Sequence, residues 1–358
     1  LVRAQWRRAF ARLPQLDIEH HFSRNDLLSR RNRLVRLSDW DRTGEIARLL
    51  GEVDDALERI DRGTYRTCDS CGGSIERECL DADPCRRVCL ECLSSSEREL
   101  LEADLALAGE LQASMVPRGE RSMPGWKAFV QSRAAGTVSG DFAGLVRLPG
   151  GEQVSFIVGD VSGKGVSAGL LASHLQALLR SLAGSAGPLP RRLERVNRLF
   201  TAVTPTQAYA TLIWGVVDGD GRGEVVNAGH PPALIVGRNG SHGVESTGVP
   251  VGLFPGVRYS GIPVELEPGE RIVLYTDGVT ESTDAGDQEY GVDALQTLVS
   301  RTDLDRAPDE VANRYLADVA RHRSGLRHQD DLTLMVLRRD GRVNPARVAG
   351  QRLTSMTL

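Results

Sequence analysis

The sequence predicts an α+β protein: an N-terminal helical hairpin with a four-cysteine module, a connector helix, then two sheets sandwiched between helix layers. Three observations carry this. Residues 43–63 hold a heptad-spaced apolar seam, and all six cysteines fall between Cys68 and Cys92. From Trp126 onward, short apolar runs bounded by turn signals alternate with grouped helical stretches. At 358 residues the chain exceeds one ordinary core, so two or three domains are expected.

Thr43 is placed to cap a helix carrying Ile46, Leu50, Val53, Leu57 and Ile60, spacings of 4, 3, 4 and 3 that form a coiled-coil seam. Gly63 ends it at the C′ position. Upstream, Leu27/Leu28 and Leu34/Val35 repeat at seven residues, which calls for a partner helix. That helix is basic (Arg30, Arg31, Arg33, Arg36), whereas its successor is acidic (Glu45, Glu52, Asp54, Asp55, Glu58). An antiparallel hairpin satisfies both, with its tip near Ser38 to Gly44. Although the net charge is −4, residues 1–37 hold nine Arg against three acids, a balance of +6. The stretch reads either as a solvated face pairing with an acidic neighbour or as a basic contact surface for an acidic partner or nucleic acid.

Cys68, Cys71, Cys89 and Cys92 have C-x2-C-x17-C-x2-C spacing. Each pair sets two thiolates on one tight turn, and two such turns complete a tetrahedron around Zn²⁺. Four protein ligands leave no open position, so the zinc is read as structural. Cys79 and Cys85 lie outside the pattern, as incidental thiols or as redox sensors. Clustered cysteines indicate a metal module rather than a disulfide network, and hence a cytoplasmic protein. The longest apolar stretch, Leu170 to Leu182, is broken by His174, Gln176 and Arg180, so neither a signal peptide nor a membrane span is expected.

Ser96 and Glu99 form an S-x-x-E capping box for the connector. Leu100, Leu107 and Leu111 fall on one line, with Leu101, Leu105, Ala108 and Met115 beside it, until Pro117. The helix either packs on its own domain or self-associates as a signalling helix that yields a homodimer. Beyond it, strands are expected at Gln153–Gly159, Ala208–Val217, Glu224–Asn227, Ala233–Val236, Arg271–Thr276 and Leu332–Leu337. Helices are expected at Ser167–Ala183, Arg191–Val203, Val292–Arg301 and Pro308–His322.

Asp141, Asp160, Asp277 and Asp330 (with Asp331) stand beside glycine or at the ends of these apolar runs. If the runs are neighbouring strands, the carboxylates gather at one rim. So many carboxylates cannot all ionise without cations between them. Hard oxygen ligands with open water positions suit Mg²⁺ or Mn²⁺. The pattern therefore predicts a two-metal hydrolase site.

Two resemblances sharpen these expectations. Residues 27–93, through Leu-Glu-Arg-Ile-Asp-Arg-Gly-Thr-Tyr, Cys-Asp-Ser-Cys-Gly-Gly-Ser-Ile and Cys-Leu-Glu-Cys, resemble the DksA/TraR zinc-finger family. Members of that family can insert a coiled coil into RNA polymerase using acidic tip residues. The tip here, Ser38-Asp39-Trp40-Asp41-Arg42-Thr43, departs from the familiar Asp-x-x-Asp-x-Ala, which leaves a sensor or docking arm as an equal reading. Residues 97–338 resemble the SpoIIE/RsbU branch of the PPM-type metal-dependent protein serine/threonine phosphatases. The motifs are Gly140-Asp141-Phe142, Gly159-Asp160-Val161-Ser162-Gly163-Lys164-Gly165, Asn227-Ala228-Gly229-His230-Pro231-Pro232, Thr276-Asp277-Gly278 and Asp330-Asp331-Leu332-Thr333.

This second resemblance implies an αββα sandwich and a phosphoserine or phosphothreonine protein substrate. The expected substrate is a STAS-type anti-sigma-factor antagonist in bacterial partner switching. It implies that Asp160 bridges two Mn²⁺ or Mg²⁺ ions, with the Val161 carbonyl completing one shell. Asp277 and Asp330 hold the second ion, and Asp141 lies near the other. Asp331 is the alternative to Asp330, its other role being to cap the turn into the last strand. The first motif reads Ser139-Gly-Asp-Phe-Ala143-Gly144 where the family has Gly-Gly-Asp-Phe-Tyr-Asp, so a second carboxylate is missing. His230 is read as a turn organiser, with catalysis as its other role. Lys164 is either a phosphate contact or merely exposed, and Gly-Lys-Gly lacks P-loop spacing, which disfavours nucleotide hydrolysis. The expected division is an arm at 1–66, a zinc finger at 67–95, a connector at 96–118, a phosphatase domain at 119–340 and a disordered tail at 341–358. The competing function is an RNA-polymerase-binding regulator with a degenerate phosphatase scaffold.

Overall fold

The computed structural model describes residues 24, 27, 28, 31, 32, 34, 35, 45–76, 79–80, 83–204, 208–326 and 330–341. The cap at Thr43, the hairpin tip at 38–44, most of the arginine-rich stretch 1–37 and the tail beyond 341 lie outside them. The chain forms two compact units, the first ending at Asp104 and the second beginning at Leu105.

In the first unit, helix α1 (Glu45–Asp61) buries Val53, Ala56 and Leu57 against Leu27, with Leu28, Leu34 and Ile60 at the margin. Arg24 pairs with Asp61 at 3.0 Å and Arg31 with Asp54 at 2.5 Å. Seven residues forward in one helix thus match seven backward in the other, which is the register of an antiparallel hairpin. Both pairs are exposed, so they set alignment more than stability. At the end of α1, Gly63 takes a φ of 71°. Its N–H reaches the Ile60 carbonyl, and the Thr64 N–H reaches that of Arg59 at 2.8 Å, as in a Schellman cap. The buried Arg59 guanidinium donates to the carbonyls of Arg86 and Cys85 at 2.9 and 3.1 Å. It also lies over the Tyr65 ring at 5.6 Å, binding the seam helix to the cysteine module.

Helix α2 (Ser95–Met115) contains the boundary between the units. Its capping box is Ser94 with Glu97, two residues ahead of the Ser96/Glu99 pair expected from the sequence. Ser94 N–H donates to Glu97 Oε2 at 3.0 Å, and Glu97 N–H returns to Ser94 Oγ at 3.3 Å. The sequence Ser94-Ser-Ser-Glu-Arg-Glu offers both registers. The one used adds two helical positions before Leu100.

The second unit contains β1 (Gly119–Met123), β2 (Trp126–Arg133), β3 (Asp141–Arg147), β4 (Gln153–Val161), α3 (Gly165–Leu182) and α4 (Leu189–Thr201). It continues with β5 (Ala210–Asp218), β6 (Arg222–Ala228), β7 (Ala233–Gly237), β8 (Gly240–Val244), β9 (Ile262–Glu265) and β10 (Arg271–Tyr275). A single turn α5 (Asp277–Thr280), α6 (Val292–Ser300), α7 (Pro308–His322) and β11 (Leu332–Arg339) complete it. The sheets are ordered β1-β2-β11-β10-β7-β8 and β3-β4-β5-β6-β9, with antiparallel neighbours throughout.

Period-two alternation explains the layering. Phe156 and Val158 of β4 point between the sheets, beside Ala143, Ile213, Leu274 and Met335. Ile157 and Val161 point the other way, onto Leu175 of α3 and Leu193 of α4. Val273, Leu334 and Val336 cover α6 and α7 through Leu295, Val311 and Tyr315. The expected αββα sandwich is therefore observed. Phe156 lies opposite Gly215, and Phe142 opposite Gly159, so each ring occupies the space its glycine partner leaves.

Candidate functional site

The β3–β4–β5 register sets Asp141 opposite Asp160 and Asp160 opposite Thr211. All three share the parity of Ala143, Val158 and Ile213, so they form one row on the inner face at the end of the sandwich. Asp141 is 2% exposed. Burial, followed by the charge of Asp160, holds its carboxyl well above the ordinary carboxylate range. Across the sandwich, Thr276 at the end of β10 donates its hydroxyl to Asp141 Oδ2 at 2.7 Å. The same hydroxyl accepts the Thr333 N–H at 2.9 Å. One side chain thus fastens the two sheets together at the carboxylate row.

Asp277 follows Thr276 directly and opens α5. Gly278 must lack a side chain, because a Cβ there would sit 1.9 Å from the Asp331 carbonyl oxygen. This close approach brings the Asp277 turn against Asp330-Asp331. Asp331 accepts the N–H groups of Ala135 and Gly140, each at 2.7 Å, one on each carboxylate oxygen. Asp330 accepts the Asp331 N–H at 3.0 Å, and its other oxygen faces Lys164 Nζ at 3.5 Å. Gly163 and Gly165 have φ of 107° and 76°, so the chain turns beside the rim as only glycine does comfortably.

Asp160 Oδ1 and the Val161 carbonyl oxygen both lie 3.1 Å from the point where a Cβ on Gly140 would stand. Glycine therefore lets two oxygens converge closely on its backbone, beside the buried Asp141 carboxyl, which among the described residues has no ion-pair partner. Such an oxygen-only set fits a hard divalent cation. The six oxygen-bearing residues anticipated from the sequence (Asp141, Asp160, Val161, Asp277, Asp330, Asp331) all come to this end. Among the described residues, however, no three carboxylates crowd within 4.8 Å of one another as the cysteines do.

Sequence reasoning missed the supporting residues. Gln112 of α2 accepts the Ser139 N–H at 2.8 Å and donates to the Ser139 carbonyl at 2.6 Å. It thereby clamps the backbone two residues before Asp141. Gly109, one turn earlier, leaves room for the Thr137 carbonyl. A polar residue mid-helix gives no such signal, whereas Thr276 stood inside a quoted motif. His230 is buried, its Nδ1 2.9 Å from Thr211 Oγ1. Burial pulls its pKa down to about 3, so the imidazole is neutral. The turn itself is braced by Asn227, whose amide donates to the His230 and Val244 carbonyls.

In the first unit, Cys68, Cys71, Cys89 and Cys92 bring their sulfurs within 4.8 Å of one another, a group that can hold a metal ion. Cys71 and Cys89 sulfurs are 3.8 Å apart. A tetrahedron with metal–sulfur bonds of about 2.3 Å has edges of about 3.8 Å. The Cys89 N–H donates to Cys68 Sγ at 3.3 Å, the main reason this thiol falls to about 6. Cys79 and Cys85 stay outside the cluster, and no disulfide joins any of the six.

A pH dependence follows from Asp141. Folding raises its carboxyl above the unfolded value, so its contribution to stability is complete in acid and is lost as pH rises through the raised value. In EDTA near neutrality, Asp141→Asn is expected to melt above wild type. The gap should close as pH falls to the ordinary carboxylate range, as thermal melts across pH will show.

Residues 150–340 match the family described as Stage II sporulation protein E (SpoIIE), a stretch that includes Asp160, Asp277, Asp330 and Asp331. Phosphoserine phosphatase RsbP of Bacillus subtilis is 31% identical over 156 residues, 42% of this chain and 38% of RsbP. Phosphoserine phosphatase RsbU of the same organism is 29% identical over 206 residues, 56% of this chain and 60% of RsbU. The chain thus spans well under two thirds of either relative. The crystal structure of the RsbU and RsbW domains of Rv1364c from Mycobacterium tuberculosis superposes with a TM-score of 0.54 at 25% identity, covering 66% of this chain and 70% of that one. With more than half of its length inside the matched stretch, and the sandwich and carboxylate row in place, the chain belongs to the SpoIIE family.

Proposed function

We propose that this chain is a Mn²⁺- or Mg²⁺-dependent protein phosphatase acting on phosphoserine or phosphothreonine. The observation that carries the reading is the buried Asp141 facing Asp160 across the β3–β4 pair, with the Val161 carbonyl and the Asp330-Asp331 turn brought to the same end. Asp141, Asp160, the Val161 carbonyl, Asp277 and Asp330 would hold the two ions, Asp160 being shared by both. Asp330 is preferred to Asp331, because both Asp331 oxygens already receive backbone N–H groups. Bound there, the ions would supply a water of lowered pKa and neutralise phosphoryl charge. The protein's own share is orientation. Thr276 aims Asp141, Asp331 fixes the 135–140 loop, and Lys164 offers a cation at the mouth. No Ser or Cys nucleophile is called for.

By analogy with relatives named phosphoserine phosphatases, the substrate is a phosphorylated STAS-type anti-sigma-factor antagonist in a cytoplasmic partner-switching circuit. No helix among the described residues is long and apolar enough to cross a membrane. The five-part division then reads as arm, zinc finger, connector, phosphatase domain and tail. Zinc is the ion proposed for the cysteine cluster, as a structural element of DksA/TraR type. Retention of every principal aspartate weighs against a degenerate scaffold whose purpose is RNA polymerase binding. Leu100, Leu107 and Leu111 are 67%, 55% and 60% exposed along α2, so while Gly109 and Gln112 pack the helix on its own domain, this line of leucines is left for self-association.

Three outcomes are expected. Phosphate release from a phosphorylated STAS protein should require added Mn²⁺ or Mg²⁺, and Asp160→Asn or Asp277→Asn should reduce it to background; activity in EDTA, or in both variants, refutes the chemistry. Protein purified without chelator should carry one zinc per chain by elemental analysis, which Cys71→Ser loses together with order in the first unit. Light scattering should report a dimer that Leu107→Glu converts to a monomer; a monomeric wild type removes the self-association reading.

A further inference from the structure

A cavity of about 400 Å³ opens beside the aspartate rim. Asp330 and Lys164 line it at one end, so it begins where the phosphate site ends. Its apolar walls come from three elements: Leu105 of α2, Val138 of the loop before β3, and Val166 of α3. Ala135 and Gly136 supply its remaining side almost without side chains. Val166 is 43% exposed, and Leu170, one turn further along the same face of α3, is 67% exposed. Apolar surface is thus left open to water immediately next to the place where a phosphorylated side chain would sit.

The cavity is preformed. Asp331 holds Ala135 and Gly140 by their N–H groups, Gln112 clamps Ser139, and Gly109 lets α2 approach Thr137. A wall fixed from three directions selects by shape without first having to be ordered. Its lining selects as well. Leu105, Val138 and Val166 give a polar or charged neighbour of the phosphorylated residue no partner in exchange for water.

We propose that this cavity is a specificity subsite for a large aliphatic side chain flanking the phosphorylated serine or threonine of a protein substrate. The inference rests on the phosphatase reading above and names what that site recognises. The contact is made equally in the bound and transition states, so it lowers KM while leaving kcat little changed. A pocket of this kind discriminates by about 10-fold or more between a filling side chain and none.

The test uses the full chain with Mn²⁺ and two kinds of substrate. p-Nitrophenyl phosphate has no flanking side chain. Phosphoserine peptides carry Leu, Phe, Gly or Asp at each of the two positions on either side of the phosphoserine. Wild type should hydrolyse a Leu peptide with a kcat/KM about 10-fold or more above the Gly peptide at one position, through KM, with the Asp peptide poorest. Val166→Asp should abolish the Leu-to-Gly ratio, and Val166→Ala, which only enlarges the cavity, should move the preference from Leu toward Phe. Equal rates on all peptides by an enzyme active on p-nitrophenyl phosphate overturn the subsite alone. A ratio unmoved in both variants also overturns it. Inactivity on p-nitrophenyl phosphate with either Mn²⁺ or Mg²⁺ overturns the phosphatase reading and the subsite with it.

Discussion

Asp141 and Asp160 face each other across a β-pair, and Asp141 is almost wholly removed from water. Two like charges at that separation in a poorly solvated place oppose folding unless something compensates them. Most of the local architecture can be understood as that compensation. Thr276 reaches from the opposite sheet to donate to Asp141, and takes the Thr333 N–H in exchange. Gly140 lets Asp160 Oδ1 and the Val161 carbonyl come close to its backbone. The fold concentrates acidic groups at one end of an otherwise ordinary sandwich.

The same constraint explains why the surrounding loop is so heavily braced. A carboxylate kept at high energy would be released by any loosening of the chain that presents it. Gln112, Asp331 and Ser139 each fix a backbone group within two residues of Asp141 or along its loop. Gln112 belongs to α2, so the position of that helix is written directly into the geometry of the first motif. A movement of α2 would alter Ser139 before it altered anything else at the rim.

Much of this was legible beforehand, and the pattern of what was not is physical. All six strands read from the sequence (β4, β5, β6, β7, β10 and β11) and all four long helices of the second unit recur within a few residues. Those strands are all interior, paired on both sides, so their apolar runs are long. The four edge strands, β1, β3, β8 and β9, went unread. Their sequences carry Gly, Asp, Pro or charge, which an edge tolerates because one side need not pair. β2 was missed although interior, since Lys127 and Gln131 confine its continuous apolar run to Ala128-Phe129-Val130. The capping box slipped by two residues because Ser94, Ser95 and Ser96 offer the same chemistry, and the backbone chose among them.

The residue types alone determined the carboxylate and cysteine inventory, the positions of the glycines beside it, and the layered α+β class, because these depend on local chemistry and short-range periodicity. The tertiary structure decided which carboxylates are buried, which are already occupied by backbone donors, and which neutral side chains hold them. Thr276 meets Asp141 across 135 positions of chain and Gln112 meets Ser139 across 27. Such meetings follow from strand register and helix packing, which are properties of the whole fold and leave no mark on the spacing of nearby residues.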